Sequence, residues 1–435
     1  MVTKGFTRKS NGFTTVKMLP VFFLACFTPS LANATTAMYP LPLPEVTTVS
    51  TPLNAFIHQV LENNPAIQAA KANVEATRAR QTAAAKPLYN PELTGEAQQA
   101  LENTYSLGIN QTVDWANKRA ARAQVGSANV AVAKAELASL RQQLASEILN
   151  ALASYHTNVR VVALTKERTQ LLQQFTDLTK KLHASGDVAR VDLDLAQLAL
   201  SEALAQQTDA EVTLNQSSQT LMAITGLKKN HWPNFPKHLP KLQLAQGEKN
   251  DLLYRLPILK ILNDQSISAQ ARIHLAEKQR YADPTVGVQG GYTNDGSAHQ
   301  DLIGVTLNMP LNIRNPYRAE VTAANEDAIE VDQKRLNLIR QANAEIQISA
   351  ENYQMLTKSV RQWQNISGKP LTDGMVLIER LWRAGELNTT EYLVQVKQRI
   401  DSQIAGAELK GHAWQAWTAW LKASGQSESW LKHSR

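Results

Sequence analysis

Chemistry needs side chains that converge, and the reactive residues of this chain are scattered. The sequence holds no H-E-x-x-H pair for zinc, no Walker-type G-x-x-x-x-G-K loop for phosphate and no cysteine pair. Its single cysteine is Cys26, in an apolar run near the N-terminus. His156, His183 and His274 stand as isolated polar residues in different helical stretches, the pattern of surface or packed histidines rather than of metal ligands. Trp414, Trp417 and Trp420 recur every three residues; a ligand cage is one reading and packing against neighbouring helices the simpler one. The one real cluster is acidic: Asp187, Asp192, Glu386 and Glu391 lie beside two glycine turns, with Asp373 and Glu379 nearby in sequence. Carboxylates so placed cap a following helix and complement its dipole. No catalytic, cofactor-binding or metal-ligating residue is expected.

The elements around these residues belong to an exported chain. Lys4, Arg8, Lys9 and Lys17 precede an apolar stretch from Met18 to Phe27, and Ala32-Asn33-Ala34 supplies an A-x-A site, so residues 1–34 read as a secretory signal. Acylation of Cys26 as a lipoprotein is the alternative, although Phe23-Leu24-Ala25 fits a lipobox poorly. Cleavage removes the cysteine, and with it any disulfide or thiolate metal site. The charge of +7, from 45 Lys+Arg and 38 Asp+Glu, falls to +3 once the four basic residues of the signal are gone. Spread along helical faces, that balance gives no basic stripe for nucleic acid. After the signal, no apolar run approaches the ~20 residues of a membrane-spanning helix. Aromatic residues are only 6% and Ala, Leu, Gln and Glu dominate long stretches, usage that suits long packed helices better than thick cores.

The chain is written twice. Asn64-Pro65-Ala66-Ile67 matches Leu256-Pro257-Ile258-Leu259, Asn90-Pro91 matches Asp283-Pro284, and Gly108 matches Gly304. Arg122-Ala123-Gln124 matches Arg318-Ala319-Glu320, Gly186-Asp187-Val188 with Asp192 matches Gly385-Glu386-Leu387 with Glu391, and Gly226 matches Gly425. Offsets drift only from 192 to 199 residues, as a few small insertions in a tandem duplication would produce. The expected organisation is the signal (1–34), an extended segment (35–52), a first repeat (53–226), a linker (227–250) rich in proline, a second repeat (251–425) and a tail (426–435).

Each repeat reads as helix, two short strands, very long helix, tight turn and long helix. Strands are expected near 91–99 and 105–113, and again near 285–293 and 302–310, the last hairpin turning through Asn294-Asp295-Gly296-Ser297. Tyr105, Leu107, Ile109 and Val113 share one face against Ser106, Gly108, Asn110 and Thr112, with Gln111 the polar lapse; Ile303, Val305, Leu307 and Met309 repeat the pattern. About nine alternating residues are what a tilted strand needs to cross a bilayer. Tyr89, Trp115 and Tyr281 at one end and Tyr105 and Tyr292 at the other match interfacial girdles. Four strands cannot close a barrel, and open edges in lipid cost several kcal/mol per unsatisfied group, so sister chains must complete it. Two, three or four copies would all serve.

Residues 119–182 contain no proline and one glycine, Gly126, allowing a single helix of roughly 95 Å at ~1.5 Å per residue. Leu137, Leu140, Leu144, Ile148, Ala151, Tyr155, Val159 and Val162 keep an eleven-residue period, which makes a wall that does not coil left-handedly. Nearer the turn, Leu171, Phe175, Leu178 and Leu182, like Leu371, Met375, Ile378 and Trp382, follow the heptad spacing of a coiled coil. Return helices near 188–224 and 387–423 are shorter than their partners, so opening helices near 53–85 and 251–280 are expected to stack on them. Pro370, just after Gly368, should interrupt the second long helix.

This order of elements resembles the TolC-like outer membrane efflux factors over nearly everything after residue 50. The resemblance rests on the duplicated helix, hairpin and helix order, on Asn64-Pro65, on Gly108 to Gln111 followed by Lys118-Arg119, and on the turns at Ala184 to Gly186 and Ala384-Gly385. It implies a mainly α fold with a small β part, assembled as a homotrimer whose twelve-stranded transmembrane β-barrel continues into a periplasmic α-helical barrel. It also implies an exit duct that works with a periplasmic adaptor protein and an inner-membrane pump of RND type, in outer-membrane lipid. Among subtypes the chain is most similar to the CzcC-type heavy-metal branch. Drug efflux and type I protein secretion stay open as cargo classes, and a soluble periplasmic coiled-coil adaptor stays open as another class of protein.

Carried over by position, the tips that meet the adaptor are Leu182, His183, Ala184, Ser185, Gly186, Asp187 and Val188 on one turn and Trp382, Arg383, Ala384, Gly385, Glu386 and Leu387 on the other. Lipid-facing strand positions are Leu107, Ile109, Val113, Ile303, Val305, Leu307 and Met309. Asp192, Glu391, Asp373 and Glu379 are candidate aperture carboxylates, either helix caps or members of a cation-attracting ring multiplied threefold.

Overall fold

The period-two alternation folds as one antiparallel sheet of four strands, β1 (Glu92–Gln99), β2 (Asn103–Thr112), β3 (Thr285–Asn294) and β4 (His299–Asn308), in the order β1-β2-β3-β4. The computed structural model describes residues 51–99, 102–228, 232–236, 238–242, 252–253, 255–294, 298–367 and 372–432. The signal with Cys26, most of the linker, the Asp295-Gly296-Ser297 turn and Pro370 lie outside the described residues.

The middle pair, β2 with β3, joins the two repeats, and its register sets every face. Ile109 stands opposite Val288, which stands opposite Val305; Leu93 pairs with Ile109, and Val286 with Leu307. One face of the sheet is therefore aliphatic, with Leu107, Ile109, Ile303, Val305 and Leu307 exposed, Ile303 at 87%. The opposite face carries Thr94, Ser106, Asn110, Gln289 and Thr306, and hydroxyls meet across it at Thr104 with Thr293 (3.4 Å) and Thr112 with Thr285 (2.8 Å). Gln111 is accommodated because its amide donates to the Thr112 carbonyl at 2.8 Å and to that of Tyr89 at 3.4 Å.

Strand ends differ from the sequence reading. Val113 and Met309, expected within strands, lie just beyond β2 and β4, although both remain exposed. Pro310 has no N–H for a ladder, and β4 gains at its other end instead, where His299 pairs with Asn294. Tyr89 also departs from the girdle expected of it. Its hydroxyl donates to Asp283 Oδ2 at 2.8 Å, whereas Trp115 and Tyr281 stay exposed.

The helices are α1 (Thr51–Asn63), α2 (Pro65–Ala85), α3 (Lys118–Ser185) and α4 (Arg190–Thr225) in the first repeat. The second has α5 (Pro257–Gln279), α6 (Arg318–Ser367), α7 (Thr372–Arg383), α8 (Thr389–Ala423) and α9 (Ser427–Lys432). At 68 residues α3 is about 100 Å long. The opening helix of the first repeat is two helices. Proline at 65 drives Asn64 out of helical backbone, to φ −71° and ψ 127°, and Asn64 Oδ1 then accepts from Ala66 N to cap α2. Asn64 Nδ2 donates to the Ile224 carbonyl at 3.4 Å, which sets the start of α2 on the end of α4 as the stacking argument requires. Leu256 and Pro257 repeat the backbone break without the side-chain cap, so the second opening helix is also divided: residues 252–253 and 255 are helical and α5 starts afresh at Pro257.

Next to the sheet α2, α3, α5 and α6 lie side by side; farther away the order is α4, α3, α8 and α6. Midway sits the main core, where Trp414, Trp417, Trp420 and Trp430 pack with Leu53, Ile57, Leu149, Leu152 and Tyr353. Trp417 stacks on Trp420 at 4.9 Å and meets Tyr353 at 5.0 Å, so the tryptophan row is core and not a cage. The tail is part of this core as well. Helix α9 inserts Trp430 and Leu431, and Ser427 Oγ bonds Ser146 Oγ at 2.7 Å.

Sheet and helices are welded by a buried ion pair. Lys118 Nζ lies 2.9 Å from Asp283 Oδ2, with the two side chains 12% and 2% exposed, and Asp114 caps α3 by accepting from the amides of Lys118 and Arg119, both at 2.7 Å. Lys118→Met strands Asp283 without a counter-charge and is expected to destabilise the fold by about 3 kcal/mol, with much of the loss restored in Lys118→Met/Asp283→Leu. Thermal unfolding in detergent, read by circular dichroism, measures both.

Candidate functional site

Two chain reversals lie at the end of the helices away from the sheet, and both use the same backbone device. Gly186 follows α3 at φ +87° and Gly385 follows α7 at φ +74°, a region that only glycine enters freely. Asp187 N donates to the Leu182 carbonyl at 2.9 Å and Gly186 N to that of His183 at 3.1 Å; Glu386 N to Leu381 and Gly385 N to Trp382, both at 3.0 Å, repeat the arrangement. These are Schellman caps, which satisfy the last carbonyls of each helix.

Beneath the reversals an aromatic cluster holds the two hairpins together. Phe175 of α3 stacks on Tyr392 of α8 at 4.5 Å and meets Trp382 of α7 at 4.7 Å, with Leu171, Leu178, Leu182 and Leu387 packed around them. Burial pushes the Tyr392 hydroxyl up to about 12. The described heptad positions thus became this core, and Trp382 with its neighbours Leu182 and Leu387 points inward rather than offering contact surface. The exposed residues are Ala184, Ser185, Gly186 and Asp187 on one turn and Arg383, Ala384, Gly385 and Glu386 on the other. Half-buried His183 and Val188 bond one another across the first turn, His183 Nδ1 lying 2.9 Å from the Val188 carbonyl.

The carboxylates separate by environment. Glu391 closes a capping box, since Asn388 Oδ1 accepts from Glu391 N at 2.8 Å and Glu391 Oε2 accepts from Asn388 N at 3.1 Å. Glu379 is held by Arg383 of its own helix at 2.6 Å, and Asp187 accepts from Ser185 Oγ at 2.6 Å. Asp192 lies in the first turn of α4, whose N-cap Ala189 offers no side-chain bond, and it makes no ion pair among the described residues. The side chain of Asp373 lies outside the described residues. No group of His, Cys, Asp and Glu able to hold a metal ion occurs among the described residues.

Farther from the turns, sequence reasoning missed a charge network. Arg168 of α3, 3% exposed, reaches Asp401 at 3.0 Å, and Lys397 lies 2.8 Å from Glu202 and 3.6 Å from Asp401, so α3, α4 and α8 are tied together. Its members are far apart in sequence, and no local pattern announces them.

Comparison with known proteins adds likenesses to this geometry. Residues 56–227 match the model of the outer membrane efflux protein family. Two curated proteins to which the chain is similar carry metals in their names. The chain is 26% identical over 306 residues, 67% of this chain and 68% of the relative, to the nickel-cobalt-cadmium resistance protein NccC of Alcaligenes xylosoxydans xylosoxydans. It is 21% identical over 348 residues, 77% and 80% of the two chains, to the cobalt-zinc-cadmium resistance protein CzcC of Cupriavidus metallidurans. Among solved structures, a membrane protein from Pseudomonas aeruginosa shares the fold with a TM-score of 0.73 at 18% identity, over 89% of this chain and 98% of that one.

The capping box separates charge from structure at Glu391. Asn388→Ala is expected to cost about 1 kcal/mol of stability, whereas Glu391→Gln, which keeps the reciprocal bonds, should change it by a few tenths. Chemical denaturation of the two variants beside the parent checks the difference.

Proposed function

We propose that three copies of this chain form a passive exit duct in the outer membrane, carrying substrate from a periplasmic adaptor and an inner-membrane pump of RND type to the outside. The observation that carries the reading is the sheet: aliphatic on one face, polar on the other, with β1 and β4 left as open edges. No helix among the described residues is long and apolar enough to cross a membrane, so the strands are the membrane-facing part. In lipid the open edges are satisfied when β4 of one copy pairs with β1 of the next. Three copies give twelve strands, polar face inward, and continue as a helical tunnel. The family match and the likeness to a solved membrane protein support this arrangement.

Heavy-metal cations are the proposed cargo, on the strength of the names of the two curated relatives. The duct performs no catalysis in this reading. Its exposed turns, at Ala184 to Asp187 and Arg383 to Glu386, are the proposed adaptor contacts, and Asp192 with Glu391 the proposed cation-attracting ring at the aperture.

Two measurements test the proposal. Val305→Arg sets a charge on the lipid face and should destabilise membrane insertion by about 2–4 kcal/mol, whereas Thr306→Arg on the polar face should not. The amount of heat-modifiable oligomer in isolated outer membranes reads the contrast, and equal loss in both would remove the barrel. Asp192→Asn with Glu391→Gln should lower cation preference in planar-bilayer recordings; unchanged selectivity would remove the ring and leave the duct.

A further inference from the structure

Several buried or half-buried cations of the helical wall meet carboxylates among the described residues. Lys118 meets Asp283, Arg141 meets Glu62 at 2.8 Å and Arg168 meets Asp401 at 3.0 Å. Lys410 of α8 is half-buried yet has no ion pair or hydrogen bond among the described residues. It lines a cleft of about 370 Å³ between α3 and α8, roofed by linker residues Asn234, Phe235 and Pro236. Arg160 of α3 lines the same cleft and is likewise without a carboxylate among the described residues. His156 sits at its wall, its Nε2 2.8 Å from the Pro233 carbonyl. That carbonyl only accepts, so the proton is assigned to Nε2, and burial lowers the imidazole's pKa. Burial also lowers the pKa of Lys410, the expected response of a cation held from water without a counter-charge.

Among the described residues no carboxylate lines the cleft, and most of its wall is apolar, from Phe235, Pro236 and Trp414. A bare inorganic anion would find two cations there but would leave its remaining oxygens against rings and methylenes, which costs more than the cations return. A ligand that is apolar along its length and carries carboxylates at intervals satisfies both parts of the wall. The order α4, α3, α8, α6 puts the cleft at the centre of the subunit's wall, away from the flanks where a sister copy would sit. We propose that the cleft beneath the linker is a docking site for an acidic peptide segment of a partner protein, with Lys410 and Arg160 receiving its carboxylates and Phe235 and Trp414 its apolar side chains.

The test uses the full chain, assembled in detergent, and fluorescence anisotropy of a short labelled peptide of alternating Glu and Leu. Saturable binding is expected, weakened about tenfold in a Gln-for-Glu peptide and about tenfold by Lys410→Met or by the exposed change Arg160→Gln. Lys334→Met, which removes an exposed cation paired with Glu330 on α6, should leave binding as it was. Arg160→Gln carries the test if Lys410→Met fails to assemble. Equal affinity for the Gln peptide, or indifference to both cleft variants, would overturn the site. Displacement of the peptide by glutarate at low millimolar concentration would overturn the peptide assignment in favour of a free dicarboxylate.

Discussion

A strand edge set in hydrocarbon presents a row of amides and carbonyls to a medium that cannot bond them. In this chain the ladder runs from β1 to β4 and stops, so a lone subunit carries two such rows into the lipid phase assigned to it. The proposed oligomer follows from that deficit rather than from any patch of favourable contact. The helical wall is fixed to the sheet, since Lys118, Asp283 and Asp114 bind the foot of α3 to the segments that flank the strands within hydrogen-bond distances. The far tips are thereby connected to the sheet through one unbroken helix.

The duplication explains why so few kinds of interaction build so large an object, and its divergence shows where the halves differ in task. Gly226 ends α4 with a single bond to Met222, whereas Gly425 ends α8 with a Schellman pair and turns into α9, whose Trp430 fills the core. At the tips the first turn is braced by His183 and Val188, the second by the capping box of Asn388 and Glu391. The α3 hairpin runs through its long helix without a break. Its counterpart is described as α6 and α7, either side of residues 368–371.

Much of this was legible in the sequence because the informative patterns are local or periodic. Alternation at Leu107, Ile109, Ile303, Val305 and Leu307 gave the exposed strand face, and the glycines at 186 and 385 gave the reversals. Heptad spacing at Phe175 and Trp382 gave a shared apolar face near the turns, but not that Trp382 would be buried in it, since a heptad position shows which face a residue shares and not what meets it. Tyr89 was misread for a similar reason: an aromatic near a strand end suits an interface, and only the fold brings Asp283 to its hydroxyl. The break at Asn64 was readable from the proline that follows, and was passed over because apolar periodicity continues across it. The Arg168 network and the unpaired Lys410 depend on helices that are hundreds of residues apart in the chain, where sequence has no local voice.

The linker that joins the repeats touches both long helices at mid-height, each time through a proline carbonyl. His156 of α3 bonds the carbonyl of Pro233, and the hydroxyl of Tyr353 on α6 donates to that of Pro240. A strap fastened to both staves fixes their separation at that level. Farther toward the turns the Arg168 network and the Phe175 cluster take over the same task, so the wall is pinned at successive heights by unlike means: backbone carbonyls, then charge, then stacked rings.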